Sequence, residues 1–160
     1  MNKRIILVGP SAAGKNYLRN IFADKGFTHD VSYTSREKRP GEIEGEDYHF
    51  IPREEFERKI KDGEFYEWTE YKGNLYGTGL KEWNERDIFI MESVGVSKIH
   101  PEDRKKCFVI YLNPPHDSRI KRMAIEREWK WEEIARRLDF DQKCFNEFKD
   151  FDIEITNAYF

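Results

Sequence analysis

Apolar and polar residues form blocks along the chain that predict short strands separated by helices. Three uniformly apolar runs occupy positions 5–8, 88–91 and 107–112. Runs of this kind are typical of strands in a parallel sheet whose two faces are both covered. Apolar residues recur at helical spacing in four segments, at 15–25, 53–62, 117–128 and 131–148. This alternation predicts an α/β fold with a three-layer core built on a parallel sheet.

The stretch 31–79 interrupts the alternation with a different pattern. Two aromatic-rich segments, 64–71 and 74–78, have the composition of short strands, and turn residues lie at Pro40-Gly41 and Lys72-Gly73-Asn74. We therefore expect a small β-rich lobe inserted between two strands of the core. Such a lobe is where a second substrate could bind.

A glycine-containing loop connects the first predicted strand to the first predicted helix. It reads Gly9-Pro10-Ser11-Ala12-Ala13-Gly14-Lys15-Asn16 and is followed by Tyr17. Glycines let backbone N–H groups approach phosphate oxygens, and the start of a helix adds a positive dipole end. Lys15 supplies a cation for the outer phosphates of a nucleoside triphosphate. The loop therefore predicts an ATP-binding site over residues 9–17, although an ordinary glycine-rich turn has the same letters.

Composition narrows the class of protein without identifying it. The chain has 160 residues, 37% of them charged, with a net charge of −3, which argues against a general nucleic-acid binder. Cys107 and Cys144 are far apart in sequence and are expected to be reduced thiols. No apolar run approaches the ~20 residues that span a bilayer, and the first strand leaves no room for a signal peptide. We expect a cytoplasmic protein that contacts neither membranes nor nucleic acid.

The inserted lobe begins with a segment suited to binding a second phosphate. Arg36 and Arg39 lie three residues apart beside several hydroxyl side chains. Two guanidinium groups on an extended segment can pair bidentately with phosphate oxygens. Taken alone, the segment is more consistent with a solvated basic turn than with a phosphate site.

The motifs that follow occur in the order and nearly the spacing of one family. They read Gly45-Glu46-Asp47-Tyr48-His49-Phe50, Gly63-Glu64-Phe65-Tyr66-Glu67-Trp68 and Gly73-Asn74-Leu75-Tyr76-Gly77-Thr78. With the glycine loop and the arginine segment, they closely resemble guanylate kinase, a P-loop nucleoside monophosphate kinase that transfers the terminal phosphoryl group of ATP to GMP. The resemblance implies a P-loop core, a GMP-binding lobe and a helical lid. The expected single domain has its core at 1–30, 80–116 and 134–160, its lobe at 31–79 and its lid at 117–133.

The resemblance also implies the residues that bind GMP. The GMP phosphate is expected to contact Arg36, Arg39, Tyr48 and Tyr76. The guanine is expected to contact Glu67, Ser32 and Thr78, and Glu92 is the one acid retained after the strand at 88–91. The chemistry of the base agrees, because a carboxylate can accept both N–H donors of guanine, and adenine offers no such pair. The hydroxyls of Ser32 and Thr78 can donate to the guanine carbonyl oxygen.

The segment 117–133 supplies the lid that the resemblance implies. Arg122 and Arg137 match the arginines that close on the phosphates in the family, so Lys15, Arg36, Arg39, Arg122 and Arg137 are the expected catalytic residues. Arg127 matches only approximately, because Glu126-Arg127-Glu128 replaces a Gly-Arg-Gly sequence. Trp129 and Trp131 replace typical polar residues of the lid, and the sequence gives no functional reason for them.

Departures from the family concern the metal side of the site. Asn16 stands where Ser or Thr would bind magnesium, and Ile90 stands where the family has an acid. We expect Mg²⁺ to be required but bound mainly through ATP and water, with no dedicated protein ligand set. Asn157 is expected beside the adenine. The family's closing helix has no counterpart, so the uncovered apolar surface is consistent with a monomer or a weak homodimer.

The leading hypothesis is a Mg-ATP-dependent kinase that converts GMP or dGMP to the diphosphate. Two other hypotheses stay open at this point. One is a catalytically weak guanylate-kinase-like binding module, which the changes at Asn16 and Ile90 favour. The other is a nucleoside monophosphate kinase with altered base specificity, against which Glu67, Ser32 and Thr78 argue.

Overall fold

The computed structural model describes residues 3–157 and 159, and the chain divides into two compact units. The first unit combines residues 1–26 with 90–160, and the second unit spans 27–89. The boundary on the C-terminal side falls within a strand, between Phe89 and Ile90.

The first unit contains a parallel sheet with helices packed around it. Its strands are β1 (Arg4–Val8), β6 (Ile88–Met91, the end of which lies in this unit), β7 (Cys107–Leu112) and β8 (Ile153–Ile155). The sheet order is β6-β1-β7-β8, and β7 runs parallel to both β1 and β8. The helices are α1 (Lys15–Asp24), α4 (Ser93–Ser97), α5 (Pro101–Arg104), α6 (His116–Lys121) and α7 (Trp131–Phe145). The predicted α/β class and the three predicted apolar strands are confirmed.

The central strands of this sheet are apolar and lie in the interior of the unit. Ile6, Leu7 and Val8 of β1 and Val109 and Leu112 of β7 are all fully buried. Burying one such side chain is worth about 1.5–3 kcal/mol, so this pair of strands anchors the loop that follows β1.

The two C-terminal helices differ in detail from the prediction. The helix expected over 117–128 is α6 followed by a π-helical segment (Arg122–Glu126), and the helix expected over 131–148 ends at Phe145. Phe145 stacks on Tyr111 of β7 at a ring-centroid distance of 5.6 Å. This contact ties the end of α7 to the sheet.

The second unit is built on a small mixed sheet. Its strands are β2 (Tyr33–Thr34), β3 (His49–Phe50), β4 (Phe65–Tyr71) and β5 (Asn74–Gly79), in the order β3-β2-β5-β4. Strand β5 is antiparallel to both β2 and β4. The helices are α2 (Arg53–Lys61) and α3 (Leu80–Glu85). The aromatic-rich strands predicted at 64–71 and 74–78 are confirmed as β4 and β5.

Aromatic packing holds the second unit together. Phe56 of α2 is fully buried and stacks on Phe65 of β4 at 4.3 Å. Trp83 of α3 is buried and stacks on Tyr66 at 3.8 Å. These large rings explain how a unit of 63 residues obtains a core of its own.

Two further expectations from composition can be compared with the structure. Cys107 and Cys144 are free thiols, as expected. Among the residues that the structure describes, no helix has the length and hydropathy needed to cross a bilayer.

Candidate functional site

The loop between β1 and α1 requires glycine at two positions. A Cβ at Gly9 would lie 2.3 Å from the carbonyl oxygen of Leu112, so no side chain fits there. Gly14 has φ 101° at the N-cap of α1, a left-handed conformation that other residues rarely adopt. Ala12 also has a positive φ of 58°, so the loop is a sharply turned backbone segment.

The N-terminus of α1 has the features of an anion-binding site. No side chain caps it, so the first N–H groups of the helix keep their capacity to bind an anion. Lys15 Nζ donates to the carbonyl oxygens of Gly9 and Pro10 in the same loop. Burial lowers the pKa of the Lys15 ammonium, while the carboxylates of Glu92 and Asp141 oppose this decrease. Loop, helix dipole and lysine are therefore gathered at one point, as the sequence predicted.

A buried ion pair supports the loop from behind. Asp141 of α7 accepts hydrogen bonds from the Ser11 amide at 3.1 and 3.0 Å and from the Ser11 hydroxyl at 3.2 Å. Arg119 of α6 donates to the same carboxylate at 3.0 Å. The side chains of Arg119 and Asp141 are only 9% and 5% exposed, so both charges are compensated chiefly by each other. The pair fixes the position of the loop.

Two arginines of the lid segment, Arg122 and Arg127, lie close to Arg137 of α7. Arg122 Nη1 donates to the carbonyl oxygen of Ala12 at 2.9 Å, which links the segment to the loop. Arg127 and Arg137 lie over the ring of Trp129, at 5.0 and 4.7 Å from its centroid. Partial burial and the neighbouring guanidinium of Arg137 lower the pKa of Arg127. Such a cluster of positive charge attracts polyphosphate.

Trp129 has the structural role that the sequence did not reveal. Its ring packs against the buried cluster formed by Ala12, Met123 and Ile134, and its faces attract both guanidinium groups. Glu128, which precedes it, has a φ of 51°. A glycine, which the family has here, would adopt this conformation without strain, whereas a glutamate rarely does.

Three residues predicted for the donor site, Asn16, Tyr17 and Asn157, and one predicted for the GMP site, Glu92, lie at several places in the first unit. Asn16 and Tyr17 are exposed in the first turn of α1, and Glu92 is exposed at the N-cap of α4. Asn157 follows β8, and its Oδ1 accepts a hydrogen bond from the Tyr159 amide. Within the described part of the chain, Asn157 makes no hydrogen bond to the loop. No cluster of three or more metal-ligating side chains occurs among the described residues.

The second unit brings together the residues predicted to bind a nucleotide phosphate. Arg36 pairs bidentately with Glu42, at 3.0 and 2.8 Å, and its guanidinium lies over the ring of Tyr48 at 5.7 Å. The rings of Tyr48 and Tyr76 meet edge to face at 6.1 Å. Arg39 has an exposed side chain, and its backbone N–H donates to Glu42 at 2.8 Å. Glu42 thus orients the whole arginine segment.

The residues predicted to contact the base lie on paired strands. Glu67 of β4 and Thr78 of β5 are partners across the sheet, and the Thr78 hydroxyl donates to Glu67 Oε1 at 2.8 Å. The Ser32 hydroxyl donates to Asp30 Oδ2 at 2.8 Å. Both hydroxyls were expected to donate to a ligand, whereas here each donates to a carboxylate. The reason is that each hydroxyl has an acidic side chain as its neighbour.

Sequence reasoning missed four residues that shape these sites, namely Asp30, Glu42, Trp129 and Asp141. Glu42 belongs to the arginine segment, so its spacing from Arg36 and Arg39 was an available signal. Asp141 lies 130 residues from Ser11, and no local pattern connects the two.

Comparison with known proteins finds relatives that match nearly the whole chain. The family model described as guanylate kinase matches residues 1–160. The guanylate kinase of Streptococcus thermophilus (strain CNRZ 1066) is 36% identical, with the match covering 96% of this chain and 78% of the relative. The guanylate kinase of Rubrobacter xylanophilus is 35% identical, with 96% of this chain and 84% of the relative covered.

A solved structure gives the same result for the fold. The crystal structure of guanylate kinase from Anaplasma phagocytophilum superposes with a TM-score of 0.73 at 26% identity. The match covers 98% of this chain and 77% of that one.

Proposed function

The chain belongs to the guanylate kinase family and is a nucleoside monophosphate kinase, and on this premise we propose that it phosphorylates GMP or dGMP with ATP. The observation that carries the choice of base is the carboxylate of Glu67, held by Thr78 on the neighbouring strand. A fixed carboxylate acceptor suits guanine, whose N1–H and amino group are adjacent donors, whereas adenine offers it no such pair.

On the donor side, the loop and the lid arginines act on the polyphosphate of ATP. The N–H groups at the start of α1 bind phosphate oxygens, and Lys15 exchanges its contacts with Gly9 and Pro10 for phosphate contacts. Arg122 and Arg137 offset the charge that develops on the transferred phosphoryl group. Arg127 joins them, because it shares the Trp129 ring with Arg137.

On the acceptor side, Arg36, Arg39, Tyr48 and Tyr76 hold the phosphate of the monophosphate substrate. Glu42 keeps the Arg36 guanidinium in a fixed plane, which reduces the entropy that binding would otherwise cost. Phosphoryl transfer requires no protein nucleophile here, because the acceptor is a phosphate oxygen of the substrate. Catalysis therefore consists of positioning and charge compensation.

Magnesium fits the residues present as an ion held mainly by nucleotide and water. Asn16 offers an exposed amide oxygen in the first turn of α1, and the Glu92 carboxylate is near enough to Lys15 to oppose the decrease that burial causes in the Lys15 pKa. Mg²⁺ commonly keeps several waters and needs few protein ligands. When bound, it would neutralise charge on the phosphates of ATP. The intact loop and Lys15 argue against the alternative of a non-catalytic binding module.

The proposal is tested by ADP release with ATP and a panel of nucleoside monophosphates. GMP and dGMP should be the preferred acceptors. The variant Glu67→Gln should lose preference for guanine more than phosphate affinity, whereas Arg39→Ala should raise KM for every acceptor. Glu70→Gln is the matched control, because Glu70 lies on the same strand with an exposed side chain. An unchanged base preference in Glu67→Gln would refute the assignment of the pocket.

A further inference from the structure

Asp30 is a buried acid beside the residues proposed to read the base, and the proposed mechanism gives it no role. It is 9% exposed and lies two residues before Ser32, whose hydroxyl donates to its Oδ2 at 2.8 Å. Its other oxygen, Oδ1, is buried and has no hydrogen-bond partner among the described residues. An unpartnered carboxylate oxygen in the interior is costly when ionised and much less so when the acid is neutral.

The surroundings of Asp30 also favour the neutral acid. Burial is the main factor that raises its pKa, to about 7, and the Ser32 hydrogen bond opposes the rise. The carboxylates of Glu82 on α3 and Glu67 on β4 raise the pKa further, and Arg86 lowers it. Tyr33 of β2 is a further titratable neighbour, and its own pKa is raised to about 12, so it stays neutral.

A hydroxyl has one hydrogen, and the geometry therefore links the state of Asp30 to what Ser32 can offer a ligand. When Asp30 is ionised, Ser32 donates to it and presents only lone pairs to the base. Thr78 is in the same situation, because its hydrogen is directed at Glu67. When Asp30 binds a proton from solvent at Oδ2, the acid donates to Ser32 Oγ, and the Ser32 hydrogen can turn toward the ligand.

We infer that Asp30, acting through Ser32, decides which hydrogen-bond partner the base pocket offers to position 6 of the purine. The protonated acid makes Ser32 a donor, which suits the carbonyl oxygen of guanine. The ionised acid makes Ser32 an acceptor, which suits an amino group at that position. The inference rests on the proposed function and deepens it by naming Asp30 as a positioning residue for base specificity.

The test compares two substrates that differ at position 6 of the base and, as a consequence, at N1, which carries a hydrogen in guanine and none in 2-aminoadenine. GMP carries a carbonyl oxygen at position 6, and 2-aminoadenosine monophosphate carries an amino group, while the sugar and phosphate are the same. The ratio of their kcat/KM values cancels the titration of the substrate phosphate, of ATP and of magnesium. The N1 difference concerns Glu67 and affects the absolute ratio, so the measured quantity is the change of the ratio with pH. Between about pH 6 and about pH 8, this ratio should fall by at least about tenfold in the wild-type enzyme.

Two variants distinguish the effect of Asp30 from general changes in the unit. Asp30→Asn has the same shape and a permanent N–H donor toward Ser32, so its ratio should not depend on pH. Glu82→Gln removes a neighbouring negative charge, so the midpoint of the pH dependence should move to lower pH. Asp87→Asn is the matched control, because Asp87 contacts Thr28 and should leave the wild-type profile intact.

Proton uptake gives a second measurement that does not need turnover. Isothermal titration of GMP at about pH 7.5 in buffers of different ionisation enthalpy should show more proton uptake by the wild type than by Asp30→Asn. Equal uptake, or a pH-independent ratio in a wild-type enzyme that phosphorylates GMP, overturns the role of Asp30 alone. A wild-type chain that phosphorylates neither nucleotide overturns the function on which the inference rests.

Discussion

The buried pair of Arg119 and Asp141 gives the sharpest prediction about stability. Replacing Asp141 by alanine leaves the Arg119 charge in the interior and removes the acceptor of the Ser11 amide. Breaking a buried ion pair by removing one partner typically costs about 3–5 kcal/mol, because the remaining charge is uncompensated. We expect Asp141→Ala to lower the free energy of unfolding by this amount, a large share of the roughly 5–15 kcal/mol typical of a folded protein.

Urea denaturation followed by circular dichroism measures the loss. With a slope of about 2 kcal/mol/M, the midpoint should fall by about 1.5–2.5 M. Asp139→Ala is the matched control: it is the same substitution on the same helix, and Asp139 pairs with Lys143 on the surface, where their side chains are 65% and 72% exposed. Exposed pairs contribute at most about 1 kcal/mol, so the control should barely move the midpoint.

Replacing both partners completes the test. Arg119→Met combined with Asp141→Leu removes both charges, and neutral replacements of buried ion pairs are often close to wild type in stability. The double variant should therefore recover much of the loss. If Asp141→Ala and Asp139→Ala shift the midpoint equally, the ion pair does not stabilise the loop and the reasoning is wrong.

Three further outcomes are expected. Trp129→Ala should raise KM for ATP roughly 5- to 30-fold, since its two cation–π contacts are together worth about 1–2 kcal/mol. Trp131→Ala, at a site 62% exposed, should leave KM unchanged, and equal effects of the two variants in steady-state kinetics would contradict the role of Trp129. The free energy of unfolding of the wild type should fall relative to that of Asp30→Asn as pH rises from about 4 to 8, because the folded state holds a proton that the unfolded state has lost. The largest expected loss is about 4 kcal/mol, at 1.36 kcal/mol per pKa unit between 3.8 and about 7. Unfolding free energies of the two proteins that change in parallel at all pH values would refute the prediction. Chelation of magnesium should abolish turnover, and Asn16→Ser should lower the magnesium concentration needed for half-maximal activity; turnover that survives chelation would exclude the metal.

Local sequence patterns were sufficient for the loop and its flanking elements. The apolar run of β1, the glycines and the helical spacing of α1 are contiguous in sequence, so these elements can be predicted from residues that are neighbours along the chain. Gly9 shows where this reading stops, because the need for glycine comes from Leu112, about a hundred residues away. A pattern could identify the glycine but not the carbonyl oxygen that excludes a side chain.

Residues whose role depends on tertiary burial could not be predicted. In the sequence, Asp30 cannot be distinguished from an ordinary surface acid. Its burial and its unpartnered oxygen are what make it chemically unusual. The same holds for Trp129, because its contacts with two arginines form only in the folded chain, which turns at Glu128. Charge and hydropathy along a sequence do not contain these distances.

Helix α7 joins the loop and the lid through a simple spacing. Glu133, Arg137 and Asp141 are four residues apart, so they lie along one side of the helix. Glu133 holds Arg137, and Asp141 holds Ser11 of the loop. One residue inserted between Arg137 and Asp141 would rotate the second contact by about 100° around the helix axis. A single inserted codon could thus uncouple Arg137, which we propose contacts the nucleotide, from the loop proposed to bind its phosphates, with every functional side chain still present.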